Sequence, residues 1–528
     1  MNFSQRNLYP SQRSTNFGRA AVATSEPLAT AAGLEVMAQG GNAVDAAIAT
    51  AATLTITEPT SNGLGADTFA LVWDGTAVHG LNASGRAPAA WTLDRFSGID
   101  TMPTRGWDVV TVPGAVSAWV ALCERFGTRS LADLMAPAAR YAREGFPVAP
   151  VTAANWAAQA DLVPHENGFA ANFLPGGRAP AAGEVFRLPG AADALDLIGE
   201  SNGWAFYRGA IAEEIVAQSQ AGGGAHTMED FAAHRADWVD PLTVDAHGLT
   251  IHQIPPNGQG IAVLIALGIM DRLDLGDEPD SVRALHLQIE AVKLALADLH
   301  AHVADPGSMQ LTSADLLDPA YLDARAKLVD PGKAGAPETG KPLKGGTVIL
   351  TTADPSGMMV SLIQSNYEGF GSGCVTPRYQ VSLQNRGAAF SLDPASPNCV
   401  APGKRPFHTI IPGFATKDGA PFMAYGVMGG PIQAQGQAQL VTRIARFGQG
   451  VQTAIDAPRF RVLSGREVAI EDHMPAETLE GLRALGHEVV AEAPNVAFGF
   501  GGAQAIVRHG AVYAAGSDPR KDGMALVR

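Results

Sequence analysis

The chain reads as an α+β protein, and three observations predict this. Apolar residues at helical spacing fill most of the first two thirds. A polar Gly/Pro/Lys-rich stretch, PGKAGAPETGKPLK, then interrupts the chain at 331–344. Short β-like runs separated by turns follow it.

The opening is strand, helix, helix, strand. Ala20 to Thr24 is a short apolar run and predicts a buried strand. From Pro27 to Gln39, Leu28, Ala31, Leu34 and Met37 share one helical stripe, which Gly40 and Gly41 end. Asn42 or Asp45 is placed to cap a second, Ala-rich helix that runs to about Thr57. A turn at Ser61–Gly65 leads into a strand from Phe69 to Trp73. In the middle, Val116 to Phe126, Leu131 to Glu144, Ala192 to Gly199 and Ile211 to Gln218 carry the 3.6-residue period. The longest helix is predicted from Val282 to Val303, with Leu285, Ile289, Val292, Leu296 and Leu299 on one face. Beyond the polar stretch, Thr347 to Thr352, Met358 to Gln364, Gln380 to Leu383 and Phe422 to Val427 predict strands. Helical patterns return from Ala438 to Phe447 and from Ala476 to Leu485.

Composition limits the function classes. With 528 residues, 46% hydrophobic and 17% charged, the chain can bury a large core. The net charge of −15 comes without a Lys/Arg cluster, which argues against nucleic-acid partners and reads as surface acidity. Cys123, Cys374 and Cys399 are odd in number and far apart, so they predict buried, inert thiols, with no disulfide framework or Cys-x-x-Cys metal site. The polar N-terminal stretch, Met1 to Ser14, has no apolar core of a secretory signal. The run from Ala43 to Thr57 is interrupted by Asp45 and is too short to span a bilayer. The expectation is a cytoplasmic protein without a membrane partner.

Common catalytic signatures are missing. The sequence has no His-Glu-x-x-His and no P-loop. Gly369-Phe370-Gly371-Ser372-Gly373 lacks the Lys-Ser/Thr that a phosphate loop needs. His300 and His302 lie two apart on a helix and point to different sides, a poor metal pair. Neither a cofactor nor a metal is expected. The remaining chemical feature is the abrupt passage from the polar stretch through Gly346-Thr347 into Val348-Ile349-Leu350. A Thr opening a strand is ordinary. It becomes a nucleophile only when a free α-amine lies beside its hydroxyl.

A set of motifs in a fixed order gives that passage its meaning. They are Gly40-Gly41-Asn42-Ala43-Val44-Asp45-Ala46-Ala47, Glu58-Pro59, Gly63-Leu64-Gly65 and Val112-Pro113-Gly114. Lys404-Arg405-Pro406, Gly429-Gly430, Asp456-Ala457-Pro458-Arg459-Phe460 and Gly516-Ser517-Asp518-Pro519-Arg520 follow. Over nearly its whole length the chain resembles the γ-glutamyltransferase family of N-terminal-nucleophile hydrolases. That resemblance implies a four-layer αββα sandwich and a precursor that cuts itself between Gly346 and Thr347. Residues 1–346 would form a large subunit and 347–528 a small one, together one αββα unit. A homodimer of these heterodimers is among the assemblies the family allows. The family's Asp and turn Gly after the nucleophile strand fall on Asp354 and Gly357, which selects Thr347 over its alternative Thr351. By the same resemblance Ser365 assists the nucleophile, and the N–H groups of Gly429 and Gly430 form an oxyanion hole. His408 and Thr409 lie where the family contacts substrate.

Three departures bear on substrate. The family's carboxylate-binding Arg is Ser84 here, with Arg86 two residues on. The Asp that binds an α-amine is Ala389, and a neighbouring Gln is Arg386. The segment from Phe390 to Arg405 is shorter than in lidded members. These changes keep or add cations and remove the partner of an ammonium. They point to Arg86 and Arg386 as substrate-binding residues and to amides of small carboxylate-bearing acyl groups, oxamate-like or glutaryl-like, as substrates. The alternatives are a glutathione hydrolase acting on γ-glutamyl amides and a catalytically silent member of the family.

Overall fold

The computed structural model describes residues 13–337, 346–494 and 499–528. The expectations for the N-terminal stretch up to residue 12, and for residues 338–345 of the polar connector, lie outside the described residues.

Two seven-stranded sheets dominate the fold. Their strands, numbered in chain order, are β1 (Asn16–Gly18), β2 (Ala21–Thr24), β3 (Asp67–Trp73), β4 (Val78–Asn82), β5 (Asp237–Val239), β6 (Leu242–Ala246) and β7 (Leu249–Gln253). After the connector come β8 (Gly346–Ala353), β9 (Met359–Tyr367), β10 (Gly413–Lys417), β11 (Ala420–Met428), β12 (Gly502–His509), β13 (Val512–Ser517) and β14 (Met524–Val527). One sheet has the order β1-β13-β12-β11-β10-β7-β6 and the other β14-β2-β8-β9-β3-β4-β5. The sheets face each other. Gly426 on β11 makes room for Ile349 of β8, and the Ser361 hydroxyl of β9 donates to the Tyr425 carbonyl of β11 at 2.8 Å. Helices α1 (Pro27–Ala38) and α2 (Ala43–Thr57) cover the second sheet. Helices α3 (Gly260–Met270), α4 (Ile432–Ala445) and α5 (Val451–Asp456) cover the first. This is the α+β class that the sequence pattern predicts and the four-layer αββα sandwich that the family resemblance implies.

The caps follow local chemistry. Asn42 and Asp45 close a capping box at the start of α2. Asp354, just beyond β8, adds its carboxylate to the same helix end by accepting from Ala43 N at 2.8 Å. Gly357 turns the chain back toward β9 with φ +97°, a value that suits glycine.

Three expectations need correction. Gln380 to Leu383 is not a strand of either sheet; it makes only isolated bridges, Leu383 to Gly65 and Ser382 to Val375, because an irregular loop supplies its partners. The helix expected from Ala438 begins at Ile432, since its first turns are rich in glutamines whose side chains are buried and hydrogen-bonded. Only Cys374 is buried. Cys123 and Cys399 are half-buried because they lie on a helix flank and in a loop.

The motifs around Arg459 and Arg520 build a buried ion cluster. Arg459 meets Asp518 at 2.6 Å, Arg520 meets Asp518 at 3.2 Å, and Arg520 pairs with Glu471. Although burial opposes it, the two guanidinium groups hold the Asp518 carboxyl well below the usual carboxylate range. Breaking a buried pair strands a charge, so Arg459→Met is expected to lower stability by about 3–5 kcal/mol. A carboxyl with a depressed pKa contributes stability above its unfolded pKa of about 3.9, and that stability is lost as pH falls. The difference between wild type and variant should therefore shrink in acid. Calorimetric Tm values across pH check this, and equal Tm values near neutrality would show that Arg520 alone suffices for Asp518.

Candidate active site

The site lies where β8 and β9 begin to diverge. The strands pair as Val348 with Gln364 and Gly346 with Tyr367, so a register shift leaves Ser365 and Asn366 opposite Thr347. Such a bulge re-aims side chains locally. Thr347 is fully buried, and its hydroxyl donates to the Gly346 carbonyl at 2.8 Å. The Ser365 hydroxyl reaches the same carbonyl oxygen at 2.5 Å and lies 3.3 Å from the Thr347 hydroxyl. Two hydroxyls thus converge on one peptide carbonyl. Gln433, in the first turn of α4, donates from Nε2 to Thr347 Oγ1 at 3.1 Å, and its Oε1 accepts from Ile411 N. The glutamine therefore leaves a lone pair of the Thr347 oxygen occupied and its orientation fixed.

Next to this group lies a wholly buried cation. Arg386, in a 3₁₀ turn from Arg386 to Ala389, donates to Thr409 Oγ1 at 3.0 Å and to Ser365 Oγ at 3.4 Å. Its guanidinium stacks on the Tyr367 ring, 4.2 Å from the centroid. Burial lowers the Arg386 pKa to about 10, with Asp67 opposing the shift, so it stays charged at neutral pH. Asp67 stands directly across from Ser365 in the β3–β9 register. Burial pushes its carboxyl up to about 6 against the pull of Arg386 and of the Gly85 and Gly114 N–H groups. His408 is held neutral, first by burial and then by Arg386 and Arg405. Its Nδ1 accepts from Ile410 N, so Nε2 carries the proton and donates to Asp67 at 3.1 Å. Both His408 nitrogens are committed within the protein.

Gly429 and Gly430 join β11 to α4 with φ of +124° and +71°, a backbone that an L side chain would strain. Gln259 Nε2 donates to the carbonyls of Gly430 and Thr409, and Gln433 N also donates to Gly430 O. These bonds fix the peptide orientation at the start of a helix, where backbone N–H groups are free to meet an anion.

Of the expected residues, the structure brings together Gly346, Thr347, Ser365, Arg386 and Thr409, with Gly429 and Gly430 tied in through Gln259 and Gln433. Arg86 lies apart. It is half-exposed, faces Asp237 at 3.6 Å and the Gly403 carbonyl at 3.3 Å, and lines a cavity of about 320 Å³ with Val112 and His234. Arg405 is the buried neighbour on that side, bonded to Ser84 O and to Asp237. Asp67, Tyr367, Gln259 and Gln433 are the site residues that sequence reasoning missed. Only the Gln-rich start of α4 offered a signal, since polar residues on a buried helical face need partners.

His286, Glu290 and His487 also come together with ligand-like spacing. Lys293 Nζ donates there to Glu290 Oε1 at 2.9 Å and to Gly335 O at 2.9 Å, while the two imidazoles bond each other at 2.8 Å. An ammonium already serves these groups, and a divalent cation would face its charge.

The profile of the family described as Gamma-glutamyltranspeptidase matches residues 29–527. The oxamate amidohydrolase proenzyme of Klebsiella pneumoniae is 37% identical, with 94% of this chain and 96% of that protein covered. The glutathione hydrolase-like YwrD proenzyme of Bacillus subtilis is 36% identical over the same shares. The crystal structure of a cephalosporin acylase from Bacillus halodurans superposes with a TM-score of 0.95 at 44% identity, covering 100% of this chain and 99% of that one. No helix among the described residues is long and apolar enough to cross a membrane.

Proposed function

The chain belongs to the γ-glutamyltranspeptidase family of self-processing hydrolases, and from that membership we propose that it is an amidohydrolase for small, carboxylate-bearing acyl groups with Thr347 as nucleophile. The observation that carries the reading is the convergence of the Thr347 and Ser365 hydroxyls on the Gly346 carbonyl, beside the buried Arg386 cation.

Maturation proceeds by attack of the Thr347 oxygen on the Gly346 carbonyl carbon. The C–N bond breaks, the acyl group passes to oxygen, and the former amide nitrogen takes the hydroxyl proton. Water then hydrolyses the ester. Residues 1–346 end in a new carboxylate, and 347–528 begin with the free amine of Thr347. That amine, with a reference pKa near ~8, is partly neutral at pH 7 and serves as base for its own hydroxyl. In turnover Thr347 takes the acyl group, the amine passes the proton to the departing nitrogen, and water releases the acid. Gly429 and Gly430 face the oxyanion, and losing one such donor costs about 3–4 kcal/mol of barrier. Ser365 polarises the carbonyl, while Arg386 and Thr409 receive the acyl carboxylate.

Ala389 supports the absence of an α-amine in the substrate. No carboxylate stands there, and an ammonium beside Arg386 would be repelled in a desolvated site. Ammonia release by the matured protein is expected from oxamate or glutaramate at rates well above p-nitroaniline release from γ-glutamyl-p-nitroanilide. Equal or faster turnover of the γ-glutamyl amide would instead favour a glutathione hydrolase.

A further inference from the structure

We propose that Tyr367 is a specificity-determining residue which, with Arg386, closes the acyl site around half-amides of two-carbon diacids and disfavours longer ones. The inference rests on Arg386 as the partner of the acyl carboxylate and adds the length of the acyl group.

Tyr367 is the last residue of β9 and has φ +77°, a left-handed backbone that strains a bulky side chain. The conformation is held by Tyr367 N donating to Ser365 Oγ at 2.8 Å. It turns the ring beneath the Arg386 guanidinium. Tyr367 is 1% exposed and Arg386 0%. Even so, the Tyr367 hydroxyl and Arg386 Nε find no protein partner among the described residues. Burial raises the phenol pKa, so the hydroxyl keeps its proton and remains a donor. An unpaired buried donor is destabilising. Two of them on one stacked pair, beside the nucleophile, describe a receptor for an anion.

The position of that receptor sets the length. Thr347 Oγ1 lies 3.3 Å from Ser365 Oγ, which lies 3.4 Å from Arg386 Nη2, so nucleophile and cation are at most those two hydrogen-bond lengths apart. At attack the substrate carbonyl carbon sits about 3 Å from the hydroxyl. A carboxylate on the guanidinium sits about 2.8 Å from nitrogen. A carboxylate bonded directly to the reacting carbonyl adds only ~1.5 Å and bridges the gap. Three methylenes add roughly 4 Å more, and that chain would have to fold against the Tyr367 ring. The reaction consumes one water per half-amide and yields the free diacid and ammonium.

The test measures kcat and KM of the matured protein for oxamate and for glutaramate, in wild type, Tyr367→Phe and Tyr367→Asn. Wild type should favour oxamate by at least about ten-fold in kcat/KM. Tyr367→Phe keeps the ring and removes the hydroxyl, so KM for oxamate should rise about ten-fold with kcat nearly unchanged. Asn tolerates the left-handed backbone, and Tyr367→Asn should bring the oxamate preference down by about ten-fold or more by opening the pocket. Wild type that hydrolyses glutaramate as well as oxamate overturns this length assignment while leaving the carboxylate reading intact. Faster hydrolysis of γ-glutamyl amides than of both overturns the carboxylate reading as well. If the Asn variant fails to mature, unchanged oxamate KM in the Phe variant overturns the assignment by itself.

Discussion

Thr347→Ala protein is expected to remain a single chain of 54.8 kDa and to release no measurable ammonia from any amide substrate. Wild type should resolve on denaturing gels into fragments of roughly 36 and 19 kDa, the smaller beginning at Thr347. The effect is large because one side chain serves twice. On the proposed mechanism its oxygen breaks the precursor, and the amine thereby released is the base for the same oxygen in turnover. Removing a nucleophile that acts as part of a unit typically costs about 10⁴-fold or more in kcat. Thr347→Ser keeps the oxygen and should still split, with reduced rate from a less restrained χ1. The mechanism fails if the Ala variant is cleaved at the same bond, or if active wild-type enzyme proves to be intact.

The second large effect is expected at Arg386. Arg386→Gln removes the charge proposed to face an acyl carboxylate in a buried site. Truncating one partner of a buried charge pair costs about 2–5 kcal/mol, which places the loss in kcat/KM for oxamate at about thirty- to five-thousand-fold. Self-cleavage should survive, because the Gly346 carbonyl keeps the Thr347 and Ser365 hydroxyls. A cleaved but inactive Gln variant is thus the diagnostic outcome. Oxamate turnover within a factor of about three of wild type would remove Arg386 from substrate recognition. Asp67 also loses its strongest cation in this variant, so its carboxyl, already up to about 6 through burial, should rise further.

Much of this architecture is legible in the amino-acid order, for local reasons. Asn42 and Asp45 announce their capping box, and the apolar run after Thr347 announces β8, because caps and strand patterns depend on residues close in sequence. Helix α3, Gly260–Met270, is invisible to periodicity because every one of its residues is buried, so no polar face marks the period. The first turns of α4 were hidden by the opposite effect, glutamines spent on the protein interior. At the site, Thr347, Ser365 and the glycine pair were reached through motif resemblance. Asp67 and Tyr367 were not, because their meaning is set by strand register, which puts Asp67 opposite Ser365 and Tyr367 opposite Gly346. Arg86 shows the limit of face-parity reasoning. A shift of two residues returns to the same side of an extended segment, yet the backbone there is turned by Gly85 against Val112, and Asp237 claims the guanidinium.

The strand order carries a last consequence. In one sheet β8 and β9 lie between β2 and β3; in the other β10 to β13 lie between β1 and β7. The pieces on either side of Thr347 are woven through each other, so neither half owns a complete sheet. A cut at Thr347, as proposed, would therefore leave the native assembly tightly knit while erasing its route back. Once unravelled, the halves must find one another by diffusion, and recovery becomes a concentration-dependent encounter where the uncut chain needed only itself.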